Sequence, residues 1–359
     1  MTEQRRRGCG VAVATLCAAI AACSAPTPEA PAATRPASEM PPPQGPRLFV
    51  SNEIAGTVSV IDVGTRAVVH TIPVGKRPRG IRVSPDGRTV YVALSGSPIG
   101  GPNVDESTLP PADRKLDGIG VIDAATGRLV KMLPSGSDPE QFAISKDGTR
   151  LFIANEDAGL TSVLEVATGT ILAQIKVGGE PEGVDLSPDG RVVYVTSEYD
   201  NAVYAIDTNR LTLVREVPVG PRPRSTGFLP DGSLAYVSAE NGPLVSVLDA
   251  RTHAVLASIP FSPDTLKPMG VVVTPDGTRV LVTTGRGGTL HAIEVATNRI
   301  TGSVAVGERP WGVEVSADGK WAFTANGPSN DVAIVDLATM TVAAKVPVGE
   351  RPWGLALVP

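Results

Sequence analysis

The chain has 359 residues, and its formal net charge of −5 leaves no excess of Lys and Arg. This balance argues against indiscriminate binding to nucleic acid, which needs a large basic surface. Hydrophobic residues make up 42% of the chain but aromatic residues only 4%, so the core must be built mainly from Val, Ile, Leu and Ala. The 38 glycines and 33 prolines are typical of a protein with many turns.

The first 22 residues have the features of an export signal. An arginine run at residues 5–7 precedes an apolar stretch at residues 11–22 that is too short to span a bilayer comfortably. The stretch ends in Ile20-Ala21-Ala22-Cys23, which resembles the lipobox of bacterial lipoproteins, where cleavage occurs just before a lipidated cysteine. We predict a signal over residues 1–22 and a lipid on Cys23. The alternative is an ordinary secretory signal cut at an Ala-x-Ala-like site.

Residues 23–46 are predicted to be a tether, because they are rich in Pro and Ala and show no hydrophobic period. The other two cysteines, Cys9 and Cys17, would leave with the signal, so the folded domain would contain no thiol. We therefore expect an exported monomer, anchored through its lipid to a bacterial envelope membrane, in the periplasm or at the cell surface. The folded domain should cover residues 47–359.

The folded region is built from a repeated unit, seen most clearly in residues 306–326. A Val-Gly-x-x-Pro loop leads into a strand in which Val313 and Val315 alternate with polar residues, and a Ser-Ala-Asp-Gly turn leads to a returning strand. The Asp-Gly turns are spaced by 61, 42, 42, 45 and 42 residues, at Asp86, Asp147, Asp189, Asp231, Asp276 and Asp318. A period in the low forties made of short strands is typical of one four-stranded propeller blade.

The two ends of the folded region are predicted to complete one blade together. Seven returning strands can be counted, but the Asp-Gly turns number only six. Residues 353–359 have the pattern of a first strand, and residues 47–52 that of a second strand with no partner before it. Pairing these two segments would close a ring of seven blades and remove the exposed sheet edges of an open array. The predicted fold is therefore all-β, a seven-bladed β-propeller of four-stranded antiparallel blades.

These motifs resemble the YVTN family of β-propeller repeat proteins, with Tyr194–Ser197 reading Tyr-Val-Thr-Ser. The Val-Gly-x-x-Pro-x-Gly, Ser-Pro-Asp-Gly and Val-Ile-Asp-x-Ala-Thr segments are similar to the repeat of that family over about residues 47–359. The resemblance implies a propeller from the cell envelope or surface, with no shared reaction. The chain is similar, more loosely, to lactonase-like and nitrite-reductase d1-type propellers, which are enzymes or cofactor binders. A shared fold cannot choose between these functions.

Candidate binding residues lie in the loops that lead into the first strands, because these loops should surround one mouth of the channel. The position after the Pro is expected to ring this mouth, with the two Trp and the Met forming an apolar arc and the opposite arc charged. Gln141 and Ser225 replace the Gly that usually follows this position, and their side chains are expected to project into the channel. Of the set given next, Arg77, Arg309 and Arg351 directly precede the Pro. The predicted ligand-binding set is Arg77, Arg79, Glu140, Gln141, Glu182, Arg224, Ser225, Met269, Arg309, Trp311, Arg351 and Trp353.

The charges of this mouth are predicted to be sorted, with acidic side chains in blades three and four and basic side chains in most other loops. Such a mouth would suit an amphipathic small ligand, or a protein or peptide with a basic patch. The insert at residues 95–118 should lie on the same face and act as a lid. Its acidic residues (Asp105, Glu106, Asp113 and Asp117) lack a calcium-loop spacing, so no metal site is assigned.

Three functions remain open from the sequence. The first is a non-catalytic binding or scaffolding lipoprotein that uses the channel mouth. The second is a lactonase- or lyase-like enzyme in which the pKa of Glu140 or Glu182 is raised by crowding, with or without a divalent metal. The third is binding of single-stranded nucleic acid by Trp311 and Trp353, which net acidity disfavours. No histidine falls in a predicted mouth loop, so neither zinc nor haem is expected, and no cofactor is assigned.

Overall fold

The structure is a computed structural model that describes residues 40–100 and 108–359. The predicted signal, Cys23 and most of the predicted tether lie outside the described residues, as do Asp105 and Glu106 of the insert. No helix in the described part of the chain is long and apolar enough to cross a membrane.

The strands form seven antiparallel sheets of four, numbered here as blades 1 to 7. Blade 1 contains β1 (Arg47–Asn52), β2 (Thr57–Asp62), β3 (Ala67–Pro73) and the last strand, β28 (Pro352–Val358). Blade 2 contains β4 (Pro78–Val83), β5 (Thr89–Leu94), β6 (Gly118–Asp123) and β7 (Arg128–Leu133). Blade 3 contains β8 (Pro139–Ile144), β9 (Arg150–Asn155), β10 (Leu160–Glu165) and β11 (Thr170–Lys176).

Blade 4 contains β12 (Pro181–Leu186), β13 (Val192–Ser197), β14 (Ala202–Asp207) and β15 (Thr212–Pro218). Blade 5 contains β16 (Pro223–Phe228), β17 (Leu234–Ala239), β18 (Leu244–Asp249) and β19 (Val255–Pro260). Blade 6 contains β20 (Pro268–Val273), β21 (Arg279–Thr284), β22 (Thr289–Glu294) and β23 (Arg299–Ala305). Blade 7 contains β24 (Pro310–Val315), β25 (Trp321–Asn326), β26 (Asp331–Asp336) and β27 (Thr341–Pro347). In the described ranges, two short 3₁₀ helices, Arg114–Leu116 and Glu156–Ala158, lie between strands.

The turns follow from the residues that the repeat supplies. In the Ser-Pro-Asp-Gly turn of blade 2, the Ser84 hydroxyl donates to Asp86 at 2.5 Å, and Gly87 takes a left-handed conformation with φ 72°. The Asp that closes a third strand accepts backbone N–H groups, as Asp249 does from Thr252 at 2.7 Å. These local bonds satisfy backbone N–H groups of the turns, so the aspartate that closes a third strand has a structural role.

The core consists of seven apolar clusters, each between two neighbouring blades. In β1, Phe49 packs in the cluster shared with blade 2, whereas Leu48 and Val50 pack in the cluster shared with blade 7. Successive side chains of a strand point to opposite faces of its sheet, so each inner strand contributes to two clusters. This explains why second strands are apolar at nearly every position.

The predicted ring closure is confirmed. β1 pairs with β28 in antiparallel register, with Arg47 opposite Val358 and Leu48 opposite Leu357. β28 also packs against the first strands of both neighbouring blades, β24 and β4. The first and last strands of the folded region therefore share blade 1, and the seven first strands surround a common channel.

Candidate functional site

Two sets of loops meet at one mouth of the channel. The residue before each first-strand Pro has a left-handed backbone with φ between 46° and 58°, at Arg77, Asp138, Glu180, Arg222, Lys267, Arg309 and Arg351. In six blades its carbonyl accepts the N–H of the residue that follows the second strand, as in Glu53 N–H to Arg351 at 2.9 Å and Glu240 N–H to Arg222 at 2.9 Å. These bonds hold the two loops together, so side chains from both reach the same mouth.

The first ion-pair cluster is centred on Glu53, whose side chain is almost fully buried. It accepts from Arg79 at 3.0 Å and from Arg77 at 3.2 Å, and Arg351 lies 3.3 Å away. Burial raises the pKa of the Glu53 carboxyl, but these three guanidiniums outweigh it, so the pKa lies below its usual value. Arg79 also pairs with Glu140. Glu53 is therefore a carboxylate fixed in its charged form by blades 1 and 2.

The second ion-pair cluster is centred on Arg224 in blade 5. This guanidinium pairs with Glu240 at 2.8 Å and also with Glu182 and Glu198. Arg222 pairs with Glu198 at 2.6 Å and with Glu240 at 3.3 Å. Burial raises the pKa of Glu182 against the opposing effect of Arg224, whereas the pKa of Glu240 is lowered because the nearby arginines outweigh its burial.

These clusters correct the predicted separation of charge. The acidic side chains of blades 3 and 4 do not form a free acidic arc, because arginines of blades 2 and 5 reach across to them. Glu53 and Glu240 were also missing from the predicted set. Glu140, Glu182 and Glu198 are buried and paired, so a ligand with a basic patch would have to displace an arginine to reach them.

The apolar side of the mouth has the predicted composition. The Trp311 and Trp353 rings are stacked with centroids 5.9 Å apart and planes inclined by 24°. Guanidiniums lie over these rings, Arg309 at 4.9 Å and Arg224 at 5.3 Å from Trp311 and Arg79 at 5.9 Å from Trp353. Such cation–π contacts help to fix the position of each arginine. The two tryptophans thus form a wall that also orients the neighbouring charges.

The mouth encloses an open cavity of about 660 Å³, which is the size of a small-molecule site. Ion-pair residues of both clusters line it, together with Trp311 and Trp353. The described parts of the insert also line it, through Ser97, Pro98 and residues 109–112, so the insert lies on the predicted face. Asp117 in the insert accepts backbone N–H groups from Gly96 at 2.7 Å and Asp138 at 3.0 Å, which ties the insert to blade 3.

Below the cavity, a narrower space of about 60 Å³ is lined by Gln141, Ser225 and Met269. Gln141 accepts a hydrogen bond from Arg82 at 3.3 Å. Where the repeat has Gly instead, the neighbouring blade leaves no room for a side chain: a Cβ at Gly80 would lie 2.5 Å from the Glu140 carbonyl oxygen. Gln141 and Ser225 therefore lie in the channel, as their departure from the Gly pattern predicted.

Three carboxylates in blade 3, those of Asp138, Glu140 and Glu156, have oxygens within 4.8 Å of one another. Such a group could hold a cation, but protein side chains already supply positive charge there. Arg77 lies 3.6 Å from Asp138, and Arg79 lies 3.5 Å from Glu156 and pairs with Glu140. The arrangement is best described as part of the first ion-pair cluster.

The structure brings the twelve predicted site residues together at the mouth and in the channel below it. Eleven of them line one of the two spaces, and Glu140 is buried beside them against Arg79. The predicted set lacks Glu53, Glu240 and Arg286, which also line the cavity. A signal was present, because the position directly after the second strand is Glu in four blades, at Glu53, Glu156, Glu198 and Glu240.

Comparison with known families gives two partial matches. The model described as "Lactonase, 7-bladed beta-propeller" matches residues 42–177, and that described as "Cytochrome D1 heme domain" matches residues 146–272. Among curated proteins, Antigen Lp49 of Leptospira interrogans is 28% identical over 109 residues, which is 30% of this chain. The match spans only 23% of the length of that relative.

Solved structures share the fold over most of the chain. Kuenenia stuttgartiensis hydrazine synthase superposes with a TM-score of 0.71 at 20% identity, covering 86% of this chain and 99% of the other. A candidate 6-phosphogluconolactonase from Bacteroides uniformis gives 0.70 at 17% identity, covering 87% and 99%. One from Bacteroides fragilis gives 0.71 at 16% identity, covering 88% and 98%. The chain is a seven-bladed β-propeller repeat protein.

Proposed function

We propose that this protein is an exported, lipid-anchored propeller that binds a ligand at its channel mouth without transforming it. One observation carries the proposal: a cavity of about 660 Å³ has its carboxylates paired with arginines and an aromatic pair as its apolar wall. Rigid strands position all of these groups, which favours binding through a pre-formed surface. The anchor is the lipid expected on Cys23, which would place the mouth outside the cytoplasm.

The carboxylates of the mouth are poorly suited to proton transfer as long as their ion pairs persist. A general base must be within hydrogen-bond reach of its substrate proton, whereas Glu140 and Glu182 are directed at Arg79 and Arg224. The histidines are elsewhere: His253 bonds the Tyr194 hydroxyl at 2.7 Å and His291 bonds Thr289 at 2.8 Å. Asp185, whose pKa is raised by burial to about 6, lies in first strand β12 and does not line the cavity.

Lactone hydrolysis is the second candidate, and two observations favour it. The lactonase family model matches residues 42–177, and burial raises the pKa of Glu182, the direction that a general base needs. The two functions predict different effects of one substitution. In an enzyme, Glu182→Gln would abolish turnover of a lactone, whereas in a binding protein there is no turnover to lose.

The test uses residues 38–359, which form one compact unit. A ligand panel that includes lactones, peptides and a single-stranded oligonucleotide is screened by thermal shift, since a ligand of the folded state raises the melting temperature. We expect at least one small ligand to stabilise the protein and to lose this effect in Trp311→Ala. The matched control is Trp321→Ala, because Trp321 contacts Arg66 rather than the mouth. Steady hydrolysis of a lactone that Glu182→Gln abolishes would refute the non-catalytic proposal.

A further inference from the structure

Three blades lack a glutamate directly after the second strand. Blade 2 has Ser95 there, and its Arg77 pairs with Glu53 and Asp138 of the neighbouring blades instead; the other two, blades 6 and 7, are adjacent. The position after the second strand is Glu53 in blade 1 and Glu240 in blade 5, where each glutamate pairs with the arginine before the Pro of its own blade, both at 3.3 Å. Blades 6 and 7 have Gly285 and Gly327 at this position. They nevertheless keep the cation before the Pro.

Arg309 is the cation of blade 7, and its surroundings are positive. It is partly buried against Trp311, with the guanidinium 4.9 Å from the ring centroid. No ion pair joins it to any carboxylate among the described residues. Burial lowers its pKa, Glu240 opposes this, and the positive charges of Arg351, Arg224 and Arg286 lower it further. A charge in this position has lost part of its hydration without gaining a counter-charge.

We infer that blades 6 and 7 hold an anion subsite of the mouth, in which Arg309, assisted by Arg286, binds the carboxylate or phosphate group of a small organic ligand. This inference rests on the proposed binding function and specifies its ligand. A guanidinium offers a planar fork of donors that matches such oxyanions. Arg286 and Arg309 both line the cavity. The apolar part of the ligand would lie along the adjacent Trp311 and Trp353 wall.

The two glycines explain how the repeat creates this subsite. Replacing the usual glutamate by Gly327 removes the anion that would occupy the guanidinium, and it leaves space beside Trp311. A Cβ built at Gly327 meets the Trp311 Cδ1 at 3.5 Å and the Arg309 carbonyl oxygen at 3.6 Å, which are ordinary contacts. The backbone there does not require glycine either, because Gly327 is not in the left-handed region. A side chain can therefore be added at this position to test the subsite.

The decisive variant is Gly327→Glu, which returns to blade 7 the carboxylate found in four other blades. Its matched control is Gly327→Gln, which has nearly the same shape without the charge. Binding of benzoate, phenyl phosphate and neutral benzamide is measured by calorimetry on the full-length protein. We expect both anions to bind the unaltered protein and Gly327→Gln at least tenfold more tightly than benzamide. Gly327→Glu should remove this preference, because an internal carboxylate competes for the guanidinium.

A second variant, Arg309→Gln, removes the cation itself and should abolish the same preference, while melting curves check that each variant is folded. Comparing benzoate with phenyl phosphate shows which oxyanion the subsite prefers. The inference is overturned if neither anion binds better than benzamide, or if Gly327→Glu leaves the preference unchanged. A neutral ligand whose binding needs Trp311 but is indifferent to Gly327→Glu would preserve the proposed function and refute the anion subsite alone.

Discussion

Asp185 shows how the channel changes the chemistry of a single residue. It lies in first strand β12, and burial raises its pKa to about 6 although Arg82 partly opposes the shift. Glu314 in β24 has a raised pKa for the same reason, and Asp185 raises it further. Nothing in the sequence around Asp185 distinguishes it from a surface aspartate. Its environment arises only when the first strands converge.

We predict that Asp185→Asn stabilises the protein at neutral pH. A carboxyl whose pKa is raised on folding favours the folded state fully only below its unfolded pKa, and this contribution is lost as the pH rises through the folded value. The variant should therefore raise the free energy of unfolding at pH 7 by roughly 1–3 kcal/mol. The gain should disappear near pH 4, as measured by denaturant unfolding at several pH values.

Asp147 is a control for Asp185, because folding shifts its pKa in the opposite direction. Its pKa is lowered to about 2 by the Ser145 hydroxyl and by the N–H and hydroxyl of Thr149. This carboxylate contributes stability above its unfolded pKa, and the contribution is lost as the pH falls from about 4 towards 2. Asp147→Asn should therefore destabilise the protein at neutral pH. If both variants change stability in the same direction at pH 7, the assignment for Asp185 is wrong.

At the scale of the element, the first strand of a blade has little room for a side chain at its third residue. Five of the seven first strands have Gly at their third residue, and in blade 2 this is Gly80, whose Cβ would lie 2.5 Å from the Glu140 carbonyl oxygen and 2.9 Å from the Gln141 Cα. Both obstacles are backbone atoms of the neighbouring blade, so a side chain there would push two blades apart. The close backbone of the neighbouring blade is therefore the physical reason for glycine at this position.

Gly80→Ala should therefore lower the free energy of unfolding by about 1–3 kcal/mol, the usual effect of overfilling a packed region. Gly45→Ala is the control, because nothing lies within 4 Å of a Cβ at Gly45, and surface changes of this kind stay within about 0.5 kcal/mol. Both can be measured by urea denaturation. Equal stability of the two variants would show that the blades can separate without loss.

At the scale of the whole molecule, closure joins the ends of the folded region in blade 1. The two terminal strands run antiparallel, with Arg47 opposite Val358, and they contribute to the clusters on both sides of blade 1. Closure also brings Arg351 to Glu53. The same contact therefore completes both the ring and the first ion-pair cluster.

A circular permutant tests this closure. Joining Pro359 to Gly45 and opening the turn between Asp86 and Gly87 moves the break from blade 1 to blade 2 without removing a strand. We expect this protein to fold with the same circular dichroism spectrum, since permutation is tolerated where termini are adjacent. A chain that ends at Pro347 lacks β28, exposes the edge of β1 and should aggregate. Failure of the permutant combined with folding of the shortened chain would contradict closure in blade 1.

The sequence by itself determined the fold, because its signals are local and repeated. The Asp-Gly turns, the alternation of Val313 and Val315, and the uneven count of turns and returning strands were sufficient to predict seven blades and their closure. The position of the candidate site also followed, since equivalent loops of a ring must share one face.

Only the tertiary structure decided how the charges of that face combine. Arg79 meets Glu53 of the preceding blade and Glu140 of the following one, so its partners depend on the angle and spacing between blades. For the same reason the sequence predicted separate charged arcs, where the structure has two clusters of mixed charge and, among the described residues, no ion pair to Arg309. The strength of an ion pair depends on the distance between the charged atoms over a few ångströms. A repeat pattern along the chain does not specify the distance between side chains of neighbouring blades.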